Sequence, residues 1–501
     1  TAMKRILVYY YARIGGVYRE LFLTFPWAIK FLYVPGFNKL RNFNSRARAY
    51  YQFRNAKKNV PAYQAFLKER SFNEPSFKGF VPLIEDIPWM DKDNYIKKFD
   101  MDSRCIDGKI PERNIIFDES SGSSGTATNW VRGKTERKRN AKIIRFGFET
   151  LFGKEPHFIV NAFALGPWAT GVNVTMSCVP FSRLKSLGPE KTKIENTLLQ
   201  FGTKYKYVVM GYPPFLKQLV EGDTVPWQDY DISFIFGGES MSEGMRDFLY
   251  ARGIKKVYSS LGASDLELNI GSENDFTISV RRLMRSNEKL RARLMRHEGA
   301  LPMIFQYNPS DFLVQNSEEG ELIITVCRFH YVAPKVRYNI HDRGHQVTIK
   351  ELFELFEELG IDKSEITLPR TDLPLLFHYG RADMTVAFFG ANISPVDVQE
   401  SMFEVPILVE RCNTFQLSTS EDATGDKTLE IRLEAKEGAH WDAVDEREVK
   451  MALIDQLVRI NQDFRAAYAM SGAERVTVQL LQNNEGDFAN NDIRIKARYL
   501  N

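Results

Sequence analysis

Between about residues 114 and 262 short apolar runs alternate with longer amphipathic stretches, and this alternation limits the fold more than any other feature of the chain. The runs His157 to Ala164, Tyr207 to Met210 and Ile232 to Phe236 have the length and the β-branched or aromatic content of buried strands. Thr192 to Phe201 and Ser242 to Arg252, lying among them, have helical spacing. Strand and helix in regular succession predict an α/β protein. Met303 to Val326, punctuated by Asn308-Pro309-Ser310-Asp311 and Glu318-Glu319-Gly320, predicts a smaller β subdomain. Beyond His378-Tyr379-Gly380 the elements shorten: strands around Thr385 to Phe389 and Thr428 to Leu433, a helix near Pro395 to Phe403, and a long helix around Asp445 to Ala466. The expected division is therefore an aromatic-rich helical segment over 1–40, a large multi-subdomain α/β domain over 41–381, and a small α+β domain over 382–501.

A chain of 501 residues has ample core for two or three such domains. Lys+Arg total 67 against 64 Asp+Glu, interspersed, so no basic face argues for nucleic acid. Cys105, Cys178, Cys327 and Cys412 are far apart and lack the spacing of a zinc site or disulfide framework; a reducing cytoplasm fits them. Ile6 to Val34 is crowded with aromatics but interrupted by Arg13, Arg19, Glu20 and Lys30, too often for a membrane span or a signal peptide. Two readings stand for this segment: a helical cap on the core, or a helix lying on a membrane or partner surface. Thr1-Ala2, ahead of Met3, is read as an expression remnant.

Several segments carry chemistry. Ser120-Ser121-Gly122-Ser123-Ser124-Gly125-Thr126-Ala127-Thr128 follows the strand-like Asn114 to Phe117 and precedes Arg132, Lys134 and Arg137. Its glycines allow backbone N–H groups to converge on an anion and its hydroxyls add donors, although the same composition also makes flexible linkers. It lacks the Gly-Lys-Ser/Thr ending of the common nucleotide-binding loop. Phe234-Ile235-Phe236-Gly237-Gly238-Glu239 is a strand ending in bare backbone, which suits a ligand at the carboxyl end of a sheet or an ordinary strand-to-helix turn. Val257 to Glu267 is a strand, a Gly turn at Gly262 and the pair Ser264-Asp265, suited to holding Mg²⁺ or to capping a helix. Asp342 is expected in a turn, and Gly380-Arg381-Ala382-Asp383 offers an arginine fork beside an acidic pivot or a solvated linker.

In their order and spacing these segments resemble the adenylate-forming superfamily of acyl-CoA synthetases, adenylation domains and luciferases, within it the phenylacetate-CoA ligase-like branch with its capsule-biosynthesis relatives, over about residues 45–501. The resemblance implies that Ser120, Ser121, Gly122, Ser123, Ser124, Gly125 and Thr126 grip the β and γ phosphates of ATP. It implies that Gly237, Gly238 and Glu239 line the adenine and acyl pocket, and that Leu261-Gly262-Ala263-Ser264-Asp265 stands for the family's Tyr-Gly-x-Thr/Ser-Glu, with Asp265 the Mg²⁺ ligand. Ile340-His341-Asp342 stands for Thr-Gly-Asp, with Asp342 on the ribose, and Gly380 to Asp383 for Gly-Arg-x-Asp, with Arg381 at the nucleotide and Asp383 the hinge. Gly390, in Phe389-Gly390-Ala391-Asn392-Ile393-Ser394-Pro395, lines the thiol tunnel, Lys496 is the catalytic lysine, and Phe163, Gly166, Trp168 and Gly171 form the acyl pocket. This sequence departs from the pattern at the loop's missing Pro-Lys, at Leu261 in place of tyrosine and at Asp265 in place of glutamate.

The activity so implied is an acid-thiol ligase: a carboxylate attacks the α-phosphorus of ATP, and the acyl- or aryl-adenylate then passes to the thiol of coenzyme A, or to a phosphopantetheine arm on an acyl carrier protein. A catalytically weakened nucleotide- or acyl-binding scaffold is the reading from another class. The expected partners are an aryl or other apolar carboxylic acid, a second copy in a homodimer, and a membrane surface met through residues 1–38. His341 is not needed as a base, because a carboxylic acid is already ionised at neutral pH.

Overall fold

The computed structural model describes residues 2–119, 128–166, 168–297, 299–381, 385–389, 391–421, 427–490 and 499–500. The alternation of the sequence becomes the parallel half of an eleven-stranded sheet, in the spatial order Arg183–Ser186, Phe158–Asn161, Lys206–Gly211, Asp231–Phe236, Val257–Ala263. Helices Ala169–Cys178, Lys191–Phe201, Pro213–Leu219 and Glu243–Ala251 are the crossovers between these strands. Ile159, Val160, Val208, Val209, Ile232 and Phe234 are wholly buried, as parallel strands covered on both faces must be. The edge strand Arg183–Ser186 escaped the sequence reading because half of its residues are charged.

At Ser264-Asp265 the chain reverses, and Glu267–Ser272 begins the antiparallel half, continued by Met303–Gln306, Leu375–Arg381, Tyr338–Val347, Glu321–Val326 and Phe312–Asn316. The strands expected as a β subdomain lie here, joined to Glu267–Ser272 through a single register pair, Ser272↔Gln306.

A second core runs from Phe388 to Val478 around the sheet Cys412–Glu421, Lys427–Ala435 and Val476–Leu481 and the helices Pro395–Phe403 and Glu446–Ile460. The long helix expected at its end is two, Glu446–Ile460 and Gln462–Ser471, because Asn461 turns the chain and caps the second by accepting from the Phe464 N–H at 2.9 Å. This core meets the first through polar clasps: Asp397 accepts from the Ala300 N–H at 2.6 Å, and Lys436 pairs with Glu221 at 2.7 Å.

The helix Ala2–Thr24 lies on Asn38–Asn59, pinned by a buried ion pair of Arg19 with Asp311 at 2.6 Å. At Gly16 a β-carbon would stand 1.6 Å from the Phe329 ring, so only glycine allows this approach. Among the described residues no helix is long and apolar enough to cross a membrane. All four cysteines are free and buried, and burial pushes the Cys178, Cys327 and Cys412 thiols up to about 12, which suits packing rather than nucleophilic work.

Candidate functional site

The carboxyl ends of the parallel strands converge on one cavity of about 950 Å³, whose remaining wall comes from the antiparallel half and the second core. The strand Asp231–Phe236 delivers Gly237-Gly238-Glu239 to its rim. Gly238 has φ +81°, and a β-carbon there would meet the Tyr212 ring at 2.5 Å. The turn is thus available to glycine alone and lies against the edge of an aromatic ring. Glu239 accepts from the hydroxyl of Tyr499 at 3.4 Å, which ties the far end of the chain to this loop.

Behind the rim Ser242 caps the helix Glu243–Ala251, accepting from the Met245 N–H at 3.1 Å. Glu243 is enclosed by Arg281 at 2.6 Å, Arg282 at 2.9 Å and Arg246 at 3.2 Å, and Arg246 also reaches Glu273 at 2.9 Å. Burial opposes the charge on Glu243, but the three guanidinium groups prevail and bring its carboxyl down to about 2. The network joins the strand Val257–Ala263 and the helix Asp275–Ser286 into a rigid floor.

Ser264 and Asp265 lie in a hairpin turn, with Glu267 opposite Ala263, and Gly262 sits inside the strand rather than in the turn; the helix-cap reading of the pair is thereby excluded. Asp265 accepts from the Tyr338 hydroxyl at 2.6 Å and lines the cavity. Glu267 points elsewhere, into a buried cluster with Asn140, Arg328 and Tyr331. Arg132 and Arg137, two of the basic residues following the Ser/Gly loop, are structural: both clasp Asp118, and Arg132 also donates to the Leu266 carbonyl at 2.7 Å and to that of Ser264. They fasten the stem of the loop, Ile115–Glu119 paired with Asn129–Gly133, to the Asp265 turn.

Asp342 was expected in a turn and lies instead within the strand Tyr338–Val347, opposite Arg381 of Leu375–Arg381, where the pairing with Glu321–Val326 is irregular between Asn339 and Arg343 and His341 takes φ +59°. The apolar-polar alternation is broken there by His341-Asp342-Arg343, which is why the sequence suggested a turn. Asp342 accepts from His378 Nε2 at 2.8 Å. Arg343, unnoticed in the sequence, lines the same cavity with its buried Nε lacking a hydrogen-bond partner among the described residues, an arrangement that fits an anionic ligand. His341 is held away from the cavity between Asp91 and Glu321, each at 3.1 Å. Burial works against its proton, yet the two carboxylates raise its pKa above the ordinary value.

Phe163 and Trp168 line the apolar side with Tyr212, whose ring stands edge-on to Phe163 at 5.0 Å. Gly166 and Gly171 do not line it. Gly171 serves close packing, since a β-carbon there would lie 2.1 Å from the Ala164 carbonyl oxygen, and Gly166, at φ +88°, makes an exposed turn. Trp168 bridges to Glu119, so the acyl stretch adjoins the stem of the Ser/Gly loop. Leu261, Gly262, Ser264 and Arg381 line the cavity as well. Ser120 to Thr126, Asp383, Gly390 and Lys496 lie outside the described residues. Tyr212, Arg343, Tyr379 and Tyr499 were missed; Tyr212, in Gly211-Tyr212-Pro213-Pro214 after an apolar run, had a legible strand-end signal. Among the described residues no three His, Cys, Asp or Glu side chains converge to hold a metal ion alone. Asp265, one carboxylate facing the cavity, suits Mg²⁺ that shares its other ligands with phosphate and water.

No protein-family model and no curated protein matches the chain. Among solved structures it is similar to 2-hydroxyisobutyryl-CoA ligase in the postadenylation state with 2-HIB-AMP, with TM-score 0.65, 14% identity, and 94% of this chain and 90% of that chain covered. Against the same ligase with 2-HIB-AMP and CoA in the thioesterification state the TM-score is 0.51, at 14% identity over 93% of this chain and 90% of that one. At such identity the likeness is one of fold, and the fold is that of the adenylate-forming ligases.

Proposed function

We propose that this chain, having the adenylate-forming ligase fold, activates a carboxylic acid with ATP and transfers the acyl group to the thiol of coenzyme A. One observation carries the reading: segments far apart in sequence, Gly237 to Glu239, Leu261 to Asp265, Asp342-Arg343 and Arg381, face one cavity whose other side is Phe163, Trp168 and Tyr212. A polar half containing Arg343, whose buried Nε has no hydrogen-bond partner among the described residues, and an apolar half with three aromatic rings suit a nucleotide joined to an aryl or other apolar acyl group. The higher TM-score against the postadenylation state accords with an arrangement for the first half-reaction.

In that half-reaction a carboxylate oxygen bonds to the α-phosphorus and the bond to the pyrophosphate oxygen breaks; no base is required. The work left to the protein is positioning and charge neutralisation. Asp342, oriented by His378, accepts the ribose hydroxyls, Arg343 and Arg381 face the phosphate charge, and Ser120 to Thr126 hold the β and γ phosphates. Asp265 would hold Mg²⁺, which would supply positive charge against the phosphates. In the second half-reaction the thiol sulfur bonds to the acyl carbon and AMP leaves. We assign Lys496 to the first step, Asp383 to the pivot between a large body ending at residue 381 and a small unit from 382 onward, and Gly390 to the thiol tunnel. A phosphopantetheine arm would use the same thiol route.

Pyrophosphate exchange into ATP, screened over aryl, short-chain and long-chain acids, tests the reading; no exchange with any of them overturns it. Lys496→Ala should reduce exchange far more than thiol transfer from supplied acyl-adenylate, and equal loss in both refutes its role.

A further inference from the structure

Among the described residues nothing covers the outer face of the helix Ala2–Thr24. Its inner face is fixed by Gly16 against Phe329, by Arg19 with Asp311 and by Tyr9 stacked on Tyr51 at 5.0 Å. The helix is thus docked rigidly while Met3, Leu7, Tyr10, Ile14, Val17 and Leu21 form an uninterrupted exposed stripe, with Val17 58% exposed. The helix is followed by an aromatic ridge, Trp27 packed against Phe25 and Phe31 at 6.1 Å each, with Trp27 67% exposed.

We infer that this face seats the protein on the surface of an anionic phospholipid bilayer, the stripe and ridge entering the interfacial region without crossing it. Charge selects this occupant. At about 100° per residue Arg13 borders the stripe on one side and Lys4 on the other, and Lys30 and Lys39 follow the helix. None of these four makes an ion pair among the described residues. Glu20 is the only acid within residues 2–40, and Arg139 engages it. Lys4 and Lys30 rest over the Phe80 and Phe31 rings, and a border of cations that no carboxylate neutralises among the described residues, around an apolar face rich in tyrosine and tryptophan, matches lipid phosphates over acyl chains. The spacing of the stripe would also serve a two-helix coil between copies. Ile6, Tyr18 and Phe22, however, make it wider than a coiled-coil seam, and the ridge continues past the helix end, where a partner helix has no matching seam.

The experiment is co-sedimentation of the full chain with phosphatidylcholine vesicles, with and without phosphatidylglycerol, at low and high salt. Expected is binding to the anionic vesicles at least tenfold tighter than to the neutral ones and weakened by salt. Ile14→Asp/Val17→Asp/Leu21→Asp should reduce it at least tenfold, with the circular dichroism and Tm of the parent. Lys4→Gln/Arg13→Gln/Lys30→Gln should abolish the preference for anionic lipid, and decides the matter if the first variant does not fold. No binding by the parent, or equal binding by parent and variants, overturns the inference. So does a lipid-free dimer that Ile14→Asp/Val17→Asp/Leu21→Asp dissociates, which would make the face a self-interface.

Discussion

Replacing Glu243 with glutamine should destabilise the protein by about 3 kcal/mol near neutral pH and by less than half of that near pH 3. The side chain is 1% exposed and receives three guanidinium groups, at 2.6 Å from Arg281, 2.9 Å from Arg282 and 3.2 Å from Arg246. Burial by itself would raise the carboxyl, and the arginines instead bring it from the ordinary 4.5 to about 2. At about 1.4 kcal/mol per pH unit, this drop of about two and a half units corresponds to about 3 kcal/mol, the lower end of what breaking one partner of a buried ion pair costs. Because the folded value lies below the unfolded one, the stabilisation is complete above about pH 4.5 and fades as the pH falls through about 2. With an unfolding entropy of about 2.1 cal/mol/K per residue, a 501-residue chain should lose about 3 °C in Tm. Calorimetry of parent and Glu243→Gln at matched scan rates, from about pH 7 down to pH 3, provides the test. A gap that persists undiminished in acid, or no gap at neutral pH, refutes the argument that charge rather than packing holds this floor together.

Gly238→Ala should raise the KM for ATP or acid severalfold and lower Tm by about 1 °C, because a β-carbon meets the Tyr212 ring at 2.5 Å and φ is +81°; steady-state kinetics and calorimetry check it. Arg343→Met should weaken ATP binding by at least about tenfold in calorimetric titration while leaving Tm nearly unchanged, since its buried Nε has no hydrogen-bond partner to lose among the described residues. His341→Gln should be less stable than the parent below the ordinary histidine value of 6.5, with the difference fading as pH rises through the raised folded value, because Asp91 and Glu321 favour the protonated ring. Urea titrations at about pH 5.5 and pH 9 measure the contrast, and a larger difference at the higher pH would contradict the geometry.

Apolar periodicity alone determined much about this protein. The buried runs around Ile159, Val208 and Phe234 announced the strands of an α/β sheet because strands covered on both faces carry an unbroken apolar signature. Gly237-Gly238 announced a close backbone approach because no other residue takes that path cheaply. Order along the chain also indicated which segments belong to one site, as Asp265, Asp342 and Arg381 all reach the same cavity.

Only the tertiary structure decided the orientation of each group. Arg132 and Arg343 are the same residue type beside similar motifs, yet one is consumed by Asp118 and the Leu266 carbonyl and the other faces the cavity with its Nε unpaired among the described residues. Gly171 and Gly238 are both obligatory, one against a carbonyl in the packing and one at the rim. A strand places alternate side chains on opposite faces, so a change of one position in register exchanges core for site. The irregularity at Arg343 and Gly344, which sets that register, arises from pairing with Leu375–Arg381, a strand far along the chain and invisible to any local pattern.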